Sequence, residues 1–396
     1  MNQLSLPLGF IPLVDAAPLI IAKELGFAEE ERLSFDLKRA ASWSMLRDML
    51  SFGQVDGAHM LSPVPVATAL GLGGAGGRLD ALQVLAVNGT VIGVSRALAA
   101  RMSAAGHPFD FADAEAAGHA LIAAKGAPLR IGVPFPFSMH AELLYYWLGA
   151  LGVHAPQHLI VRTIPPPLMA EALASGEIDA FCVGEPWGSV AVETGAGALL
   201  LPGAAIWSFA PEKVLAVRHD WADANPDIAG RLMRAVWRAG RWLGASENHT
   251  TAAEILARSV YLNVAAEIID RALAGELILS QTGAEARAPQ FLEFHAGAAT
   301  FPWRSQAEWI GMQIAARLGL DRSQAVTAAR AVFRPDLYRR NLAGIVHRMP
   351  ISSDKVEGGL VHAETLTGAE DSVVLNRNRF FDGRIFDPTG GKVTKS

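Results

Sequence analysis

Residues 4–60 read LSLPLGFIPLVDAAPLIIAKELGFAEEERLSFDLKRAASWSMLRDMLSFGQVDGAHM, and the punctuation of this stretch decides the fold. Leu4 to Ile11 is a short apolar run closed by Pro12, and it reads as a strand. Pro18 opens a segment, Leu19 to Leu25, that reads as a helix stopped by Gly26. Leu33 to Leu37 alternates apolar and polar residues, the pattern of a second strand. Ser42 is a candidate N-cap for a helix from Trp43 to Phe52, ended by Gly53. Val55 to Met60 reads as a buried strand. Strand, helix, strand, helix, strand is the rhythm of an α/β lobe with a mainly parallel sheet.

Working outward, Ser62-Pro63-Val64-Pro65 reads as a stiff loop leading into another helix. Leu82 to Val94 is nearly continuous apolar sequence broken by Asn88-Gly89-Thr90, and it reads as one strand crossing out of the first lobe. A second series follows. Leu129 to Val133, His158 to Ile164 and Ala180 to Val183 read as strands. His140 to Leu151 and Leu168 to Ala174 read as helices, and Pro186 is expected at the first position of another. Lys213 to Arg218 reads as a return strand, and Pro226 to about Arg340 as largely helical. The expected organisation is α/β, with two lobes joined by a hinge: residues 1–90 plus 208–350, then 91–207. Residues 351–396 form an extension. From Ser353 onward it mixes glycine with charge and carries Phe380-Phe381, so it reads either as a tail packed on the body or as a mobile segment.

Composition narrows the function classes. The chain has 396 residues, 51% of them hydrophobic and 18% charged, enough to bury a core without disulfides or structural metal. Its 34 basic and 39 acidic residues leave a net charge of −5 with no basic block, which argues against direct nucleic-acid binding. The most apolar stretch, Gly195 to Trp207, is broken by Pro202 and is shorter than the ~20 residues of a membrane span. A single cysteine, Cys182, excludes an intrachain disulfide and a cysteine-built metal cluster. The start, Met1-Asn2-Gln3, lacks the basic region of a secretory signal, so a cytoplasmic location is expected.

Catalytic signatures are missing: no G-x-S-x-G, P-loop, G-x-G-x-x-G after a strand, or H-E-x-x-H occurs. His154 and His158 have i, i+4 spacing, but Pro156 lies between them and no third ligand is evident. Cys182 sits in an apolar run and reads as a small buried hydrophobe. What remains is a set of residues at strand ends and helix starts: Trp43, Asn88-Gly89-Thr90, Ser138-Met139-His140, Gly184-Glu185-Pro186-Trp187 and Lys213. Beyond the carboxyl ends of strands, helix N-termini offer free N–H groups and a positive dipole end. One lysine, one histidine and backbone N–H groups in a cleft between two lobes suit a small anion.

Several of these segments resemble the nitrate-binding branch of the periplasmic-binding-protein superfamily. That branch comprises the solute receptors of nitrate and bicarbonate ABC transporters and their cytoplasmic relatives, the NasS-type nitrate sensors. The resemblance is carried by residues 9–18 (GFIPLVDAAP), 42–48 (SWSMLRD), 56–63 (DGAHMLSP), 179–187 (DAFCVGEPW), 211–215 (PEKVL) and 297–302 (GAATFP). It implies a type II periplasmic-binding-protein-like fold with one small ligand between the lobes and neither cofactor nor metal. It implies that Trp43 walls the pocket, His140 donates to the anion, backbone at Val183 and Gly184 adds N–H contacts, and Lys213 supplies the countercharge. Bicarbonate-binding relatives tend to carry an acidic residue and a bound cation where this chain has Lys213, which favours nitrate or nitrite. Transport receptors tend to have glutamine after the Asn-Gly of the crossing strand; this chain has Thr90.

Three functions are expected to compete. The first is a cytoplasmic nitrate/nitrite sensor that holds an ANTAR-type RNA-binding antiterminator and releases it on anion binding. The second is the substrate-binding component of a nitrate ABC transporter. The third, an enzyme, has no nucleophile–base pair behind it.

Overall fold

Two mixed sheets organise the computed structural model, which describes residues 3–74, 76–126, 128–155, 157–367, 372–389 and 392–395. Met1, Asn2 and Pro156, used in reading the start and the His154/His158 spacing, lie outside the described residues. The first sheet runs Leu292–Glu293, Leu79–Asn88, Pro211–Arg218, Gly57–Leu61, Leu4–Phe10, Leu33–Arg39. The second runs Leu159–Thr163, Leu129–Val133, Ala180–Gly184, Thr90–Ser95, Gly197–Pro202. Each sheet keeps a parallel block, and the strands that cross between lobes pair antiparallel beside it. This is an α/β periplasmic-binding-protein fold.

Local chemistry sets the elements that carry the site. Ser42 caps the helix Trp43–Ser51 by accepting from Met45 N–H, satisfying one orphan donor of the first turn. That helix lies so close to the first strand that a Cβ on Gly9 would sit 2.3 Å from Leu46 Cδ1. Ser138 caps the helix Met139–Ala150 in the same way, accepting from Ala141 N–H. The segment read as one crossing strand is two, Leu79–Asn88 and Thr90–Ser95, in different sheets. Gly89 makes the break at φ 89°, a region closed to most side chains.

Asn88 ties the outgoing crossing to the returning one. Its Nδ2 donates to the carbonyls of Ser208 and Gln290, both at 2.9 Å, and its Oδ1 accepts from Ala210 N–H. Two further hydrogen bonds hold the lobes together across the seam. Val14 N–H donates to the Glu185 carbonyl, and Trp187 Nε1 donates to the Pro12 carbonyl at 2.8 Å.

Two further details differ from expectation. Pro186 precedes the helix Trp187–Glu193 as its N-cap instead of occupying its first position. Gly197–Pro202, noted from sequence only as an apolar run, is the edge strand of the second sheet. The described residues around Phe380 in the carboxy-terminal extension pack on the body, as the first of its two readings has it. Phe380 sits among Trp207, Trp309 and Tyr146 with ring centroids 4.9, 5.8 and 5.2 Å away. Trp207 Nε1 donates to Asn378 Oδ1 and Tyr146 Oη to Asp382, so the extension straps the return crossing to helices of both lobes.

Candidate anion-binding site

At the seam between the sheets five ionisable side chains meet, each almost fully buried: Asp15, His59, His140, Glu212 and Lys213. Asp15 comes from the 3-10 turn after the first strand, His59 from Gly57–Leu61, and His140 from the first turn of its helix. Glu212 and Lys213 are neighbours on the return strand. Lys213 Nζ lies 2.7 Å from Asp15 Oδ2 and 2.8 Å from Glu212 Oε1. His59 Nε2 holds the other Asp15 oxygen at 2.8 Å. His140 Nδ1 stands 3.2 Å from Glu212 Oε1, reaching across from the second lobe, and neither of its ring nitrogens has a hydrogen-bond partner.

An isolated charge in such a place would cost several kcal/mol or more, so the cluster is held by its pairing. Burial alone would raise the Asp15 pKa, but Lys213 and His59 outweigh it and hold the carboxyl well below its usual range. Burial likewise opposes the Lys213 charge, and Asp15 and Glu212 overcome it, so the ammonium is kept. Glu212 behaves differently: burial pushes it up to about 7 despite the lysine. Burial and then Lys213 keep His140 well below its ordinary value, so the imidazole is neutral.

The predicted residues fall around this cluster unequally. Trp43 is buried with its ring centroid 5.4 Å from Lys213 Nζ and 5.5 Å from the His59 ring, and its indole N–H has no hydrogen-bond partner. Gly184 ends its strand where a Cβ would meet Leu13 Cδ2 at 3.2 Å, Asp15 Oδ2 at 3.6 Å and His140 Nε2 at 3.8 Å. The backbone there is therefore walled by both lobes. Glu185 N–H donates to Gly89 O, and Thr90 stands opposite Gly184. Antiparallel alternation then commits the Val183 N–H to Val91 and turns the Gly184 N–H out of that ladder. Of the two backbone donors expected, Gly184 is the one turned away from the pairing. Thr90 sits at the same level, but its hydroxyl faces Gly203 and the Cys182 thiol.

Asp15, His59 and Glu212 were missed in the sequence. A signal existed: Asp15 stands in an otherwise apolar run, where an unpaired carboxylate is rare, and Glu212 directly precedes Lys213. The proximity of Asp15 to Lys213, however, is set by the fold. Lys213 has three ammonium protons, and its two carboxylate partners leave one for a ligand. Among the described residues no group of three or more His, Cys, Asp or Glu side chains could hold a metal ion. A void of about 670 Å³ opens at the seam nearby, lined by Pro12, Arg39 and Ser42 on one side and Pro165, Pro167 and Leu168 on the other.

Comparison with known proteins agrees with this geometry. The NMT1-like family model matches residues 1–257. The nitrate/nitrite binding protein NrtA of Nostoc sp. strain PCC 7120 is 31% identical over 400 residues, covering 96% of this chain and 82% of NrtA. The nitrate import ATP-binding protein NrtC of Synechocystis sp. strain PCC 6803 is 31% identical over 349 residues, 85% of this chain but 50% of NrtC. The crystal structure of the periplasmic nitrate-binding protein NrtA from Synechocystis PCC 6803 superposes with a TM-score of 0.84 at 28% identity, over 98% of this chain and 97% of that one. Fold, cleft and similarity over nearly the whole length agree: the chain belongs to the NMT1-like family of solute-binding proteins, in the branch that contains NrtA.

Proposed function

We propose that this chain binds nitrate or nitrite between its lobes and serves as the substrate-binding component of an anion ABC importer. The observation that carries the reading is the convergence of Trp43, His140, the Gly184 backbone and Lys213 on one buried point at the seam. Nitrate is planar, monovalent and weakly basic, so one cation and a few donors suffice, and an aromatic face such as Trp43 can cover its plane. The similarity to NrtA proteins supports the same ligand class. The Lys213 ammonium occupies the place between Asp15 and Glu212 that a cation-dependent bicarbonate site would give to its metal, which supports nitrate over bicarbonate. Because both lobes contribute, the anion stabilises the closed arrangement. Moving such an equilibrium from 1:99 to 99:1 takes roughly 5.5 kcal/mol of differential binding, within reach of a buried ion pair with charge-assisted hydrogen bonds.

Calorimetric titration with nitrate, nitrite and bicarbonate tests the reading. Saturable binding of nitrate or nitrite with no response to bicarbonate supports it; bicarbonate preference overturns it. The same closure would serve a cytoplasmic sensor that holds an RNA-binding antiterminator. Pull-down of an ANTAR-type antiterminator with and without millimolar nitrate separates the two roles: nitrate-sensitive capture favours the sensor, and no capture favours the importer.

A further inference from the structure

The binding cluster has a charge problem if it takes an anion as it stands. Lys213 contributes one positive charge, Asp15 and Glu212 two negative ones, and both histidines are neutral. A monovalent anion beside Lys213 would bring the buried total to minus two, in a place where unpaired charge is most expensive. His140 raises a second difficulty. With its proton on Nδ1, facing Glu212 Oε1 at 3.2 Å, Nε2 presents a lone pair to the pocket. With its proton on Nε2, the ring can donate to an anion, but Nδ1 then faces a carboxylate oxygen with no hydrogen between them.

One proton brings that total back to minus one and removes the second difficulty. We propose that Glu212 is a positioning residue for the ligand: nitrate binds together with one proton carried on Glu212 Oε1, which donates to His140 Nδ1 and so turns His140 Nε2–H toward the anion. This deepens the nitrate reading and rests on it. The Glu212 proton cancels one negative charge, leaving Lys213 balanced by Asp15 and the ligand to be held by the remaining ammonium proton, His140 Nε2–H and the Gly184 N–H. Asp15 is the poorer proton acceptor, since His59 Nε2 and Lys213 hold its two oxygens. The ionisable groups around Glu212 are thereby accounted for: Lys213 on its own strand, Asp15 and His59 from the first lobe, and His140 and Cys182 from the second, with the Cys182 thiol kept protonated by burial. Burial pushes the Glu212 carboxyl up to about 7, so the protonation needed lies close to neutral pH.

The test is calorimetric titration of nitrate at pH 6 and pH 8, in buffers of different ionisation enthalpy, with wild type and Glu212→Gln. Nitrate itself does not titrate in this range, so any proton taken up belongs to the protein. Wild type is expected to take up nearly one proton at pH 8 and to lose affinity about tenfold per pH unit above pH 7. Glu212→Gln, whose amide can donate to His140 Nδ1 permanently, is expected to bind at pH 8 at least as tightly as wild type at pH 6, with no uptake. No proton uptake by wild type at pH 8 overturns the proposal without help from the variant. So does full uptake in Glu212→Gln, which would place the proton on Asp15. Wild type that binds no nitrate at either pH overturns the nitrate reading and this proposal with it; nitrate binding without a pH slope overturns this proposal alone.

Discussion

His140 Nδ1 in the second lobe stands 3.2 Å from Glu212 Oε1 in the first, so a group that would touch the ligand also meets the opposite lobe across the cleft. Closure and binding are therefore coupled, and contacts at the seam away from the pocket bear on affinity.

Trp187 provides the clearest such contact. Its indole Nε1 donates to the Pro12 carbonyl across the seam at 2.8 Å, and the ring is only partly buried. Trp187→Phe removes one interlobe hydrogen bond of about 0.5–1.5 kcal/mol while keeping most of the packing. Nitrate affinity is expected to fall about two- to tenfold, with little change in the melting temperature of the unliganded protein. Calorimetry and thermal melts on the same samples check both halves.

Thr90 and Gly203 fit each other sterically. A Cβ on Gly203 would lie 2.1 Å from Thr90 Oγ1 and 3.3 Å from Leu143 Cδ1. Gly203→Ala is expected to destabilise the fold by about 1–3 kcal/mol through overpacking. Thr90→Ala should recover most of that loss in the double variant. Denaturant unfolding of the four proteins in the cycle measures the coupling.

Phe380 anchors the carboxy-terminal strap between Trp207 and Trp309, and it is buried. Phe380→Ala is expected to cost about 3–5 kcal/mol. Limited proteolysis should then cut within residues 351–396 well before the body of the protein.

Glu142 supplies a pH dependence separate from the pocket. Burial pushes its carboxyl up to about 7 even though Arg317 pairs with it. A carboxyl whose folded pKa lies above its unfolded value of about 4.5 binds its proton more tightly in the native state. Its stabilising contribution is fully present below pH 4.5 and is lost as pH rises through 7. Glu142→Gln lacks this term. The melting temperature of wild type relative to the variant is expected to drop by a few degrees between pH 5 and pH 8, and thermal scans across that range check the sign.

How much was legible in the sequence follows from how local each signal is. Ser42 as a cap and Leu129–Val133 as a strand depend on neighbouring residues, and both stand as read. Gly197–Pro202 was hidden because a short apolar run has no period that separates strand from helix. Trp43, His140, Gly184 and Lys213 converge because each lies at a strand or helix end facing the seam, which the βα pattern could indicate. Asp15 escaped because its pairing with Lys213 depends on which strands lie side by side: the return strand sits two places from Leu4–Phe10, across Gly57–Leu61. Lys213, expected as a lone countercharge, is consequently the centre of a network with two buried carboxyl partners.

Gly184 allows the most direct measurement. Its φ is not in the left-handed region, and an added Cβ would press only on the Leu13 methyl at 3.2 Å, so Gly184→Ala should fold. That Cβ would nevertheless enter the space bounded by His140 Nε2 and Asp15 Oδ2, where the anion must sit. Calorimetric titration of nitrate into wild type and Gly184→Ala at pH 6 should show saturable binding in the first and at least a hundredfold weaker binding in the second, with similar melting temperatures. Equal nitrate affinity in the two folded proteins would contradict a binding site at this seam.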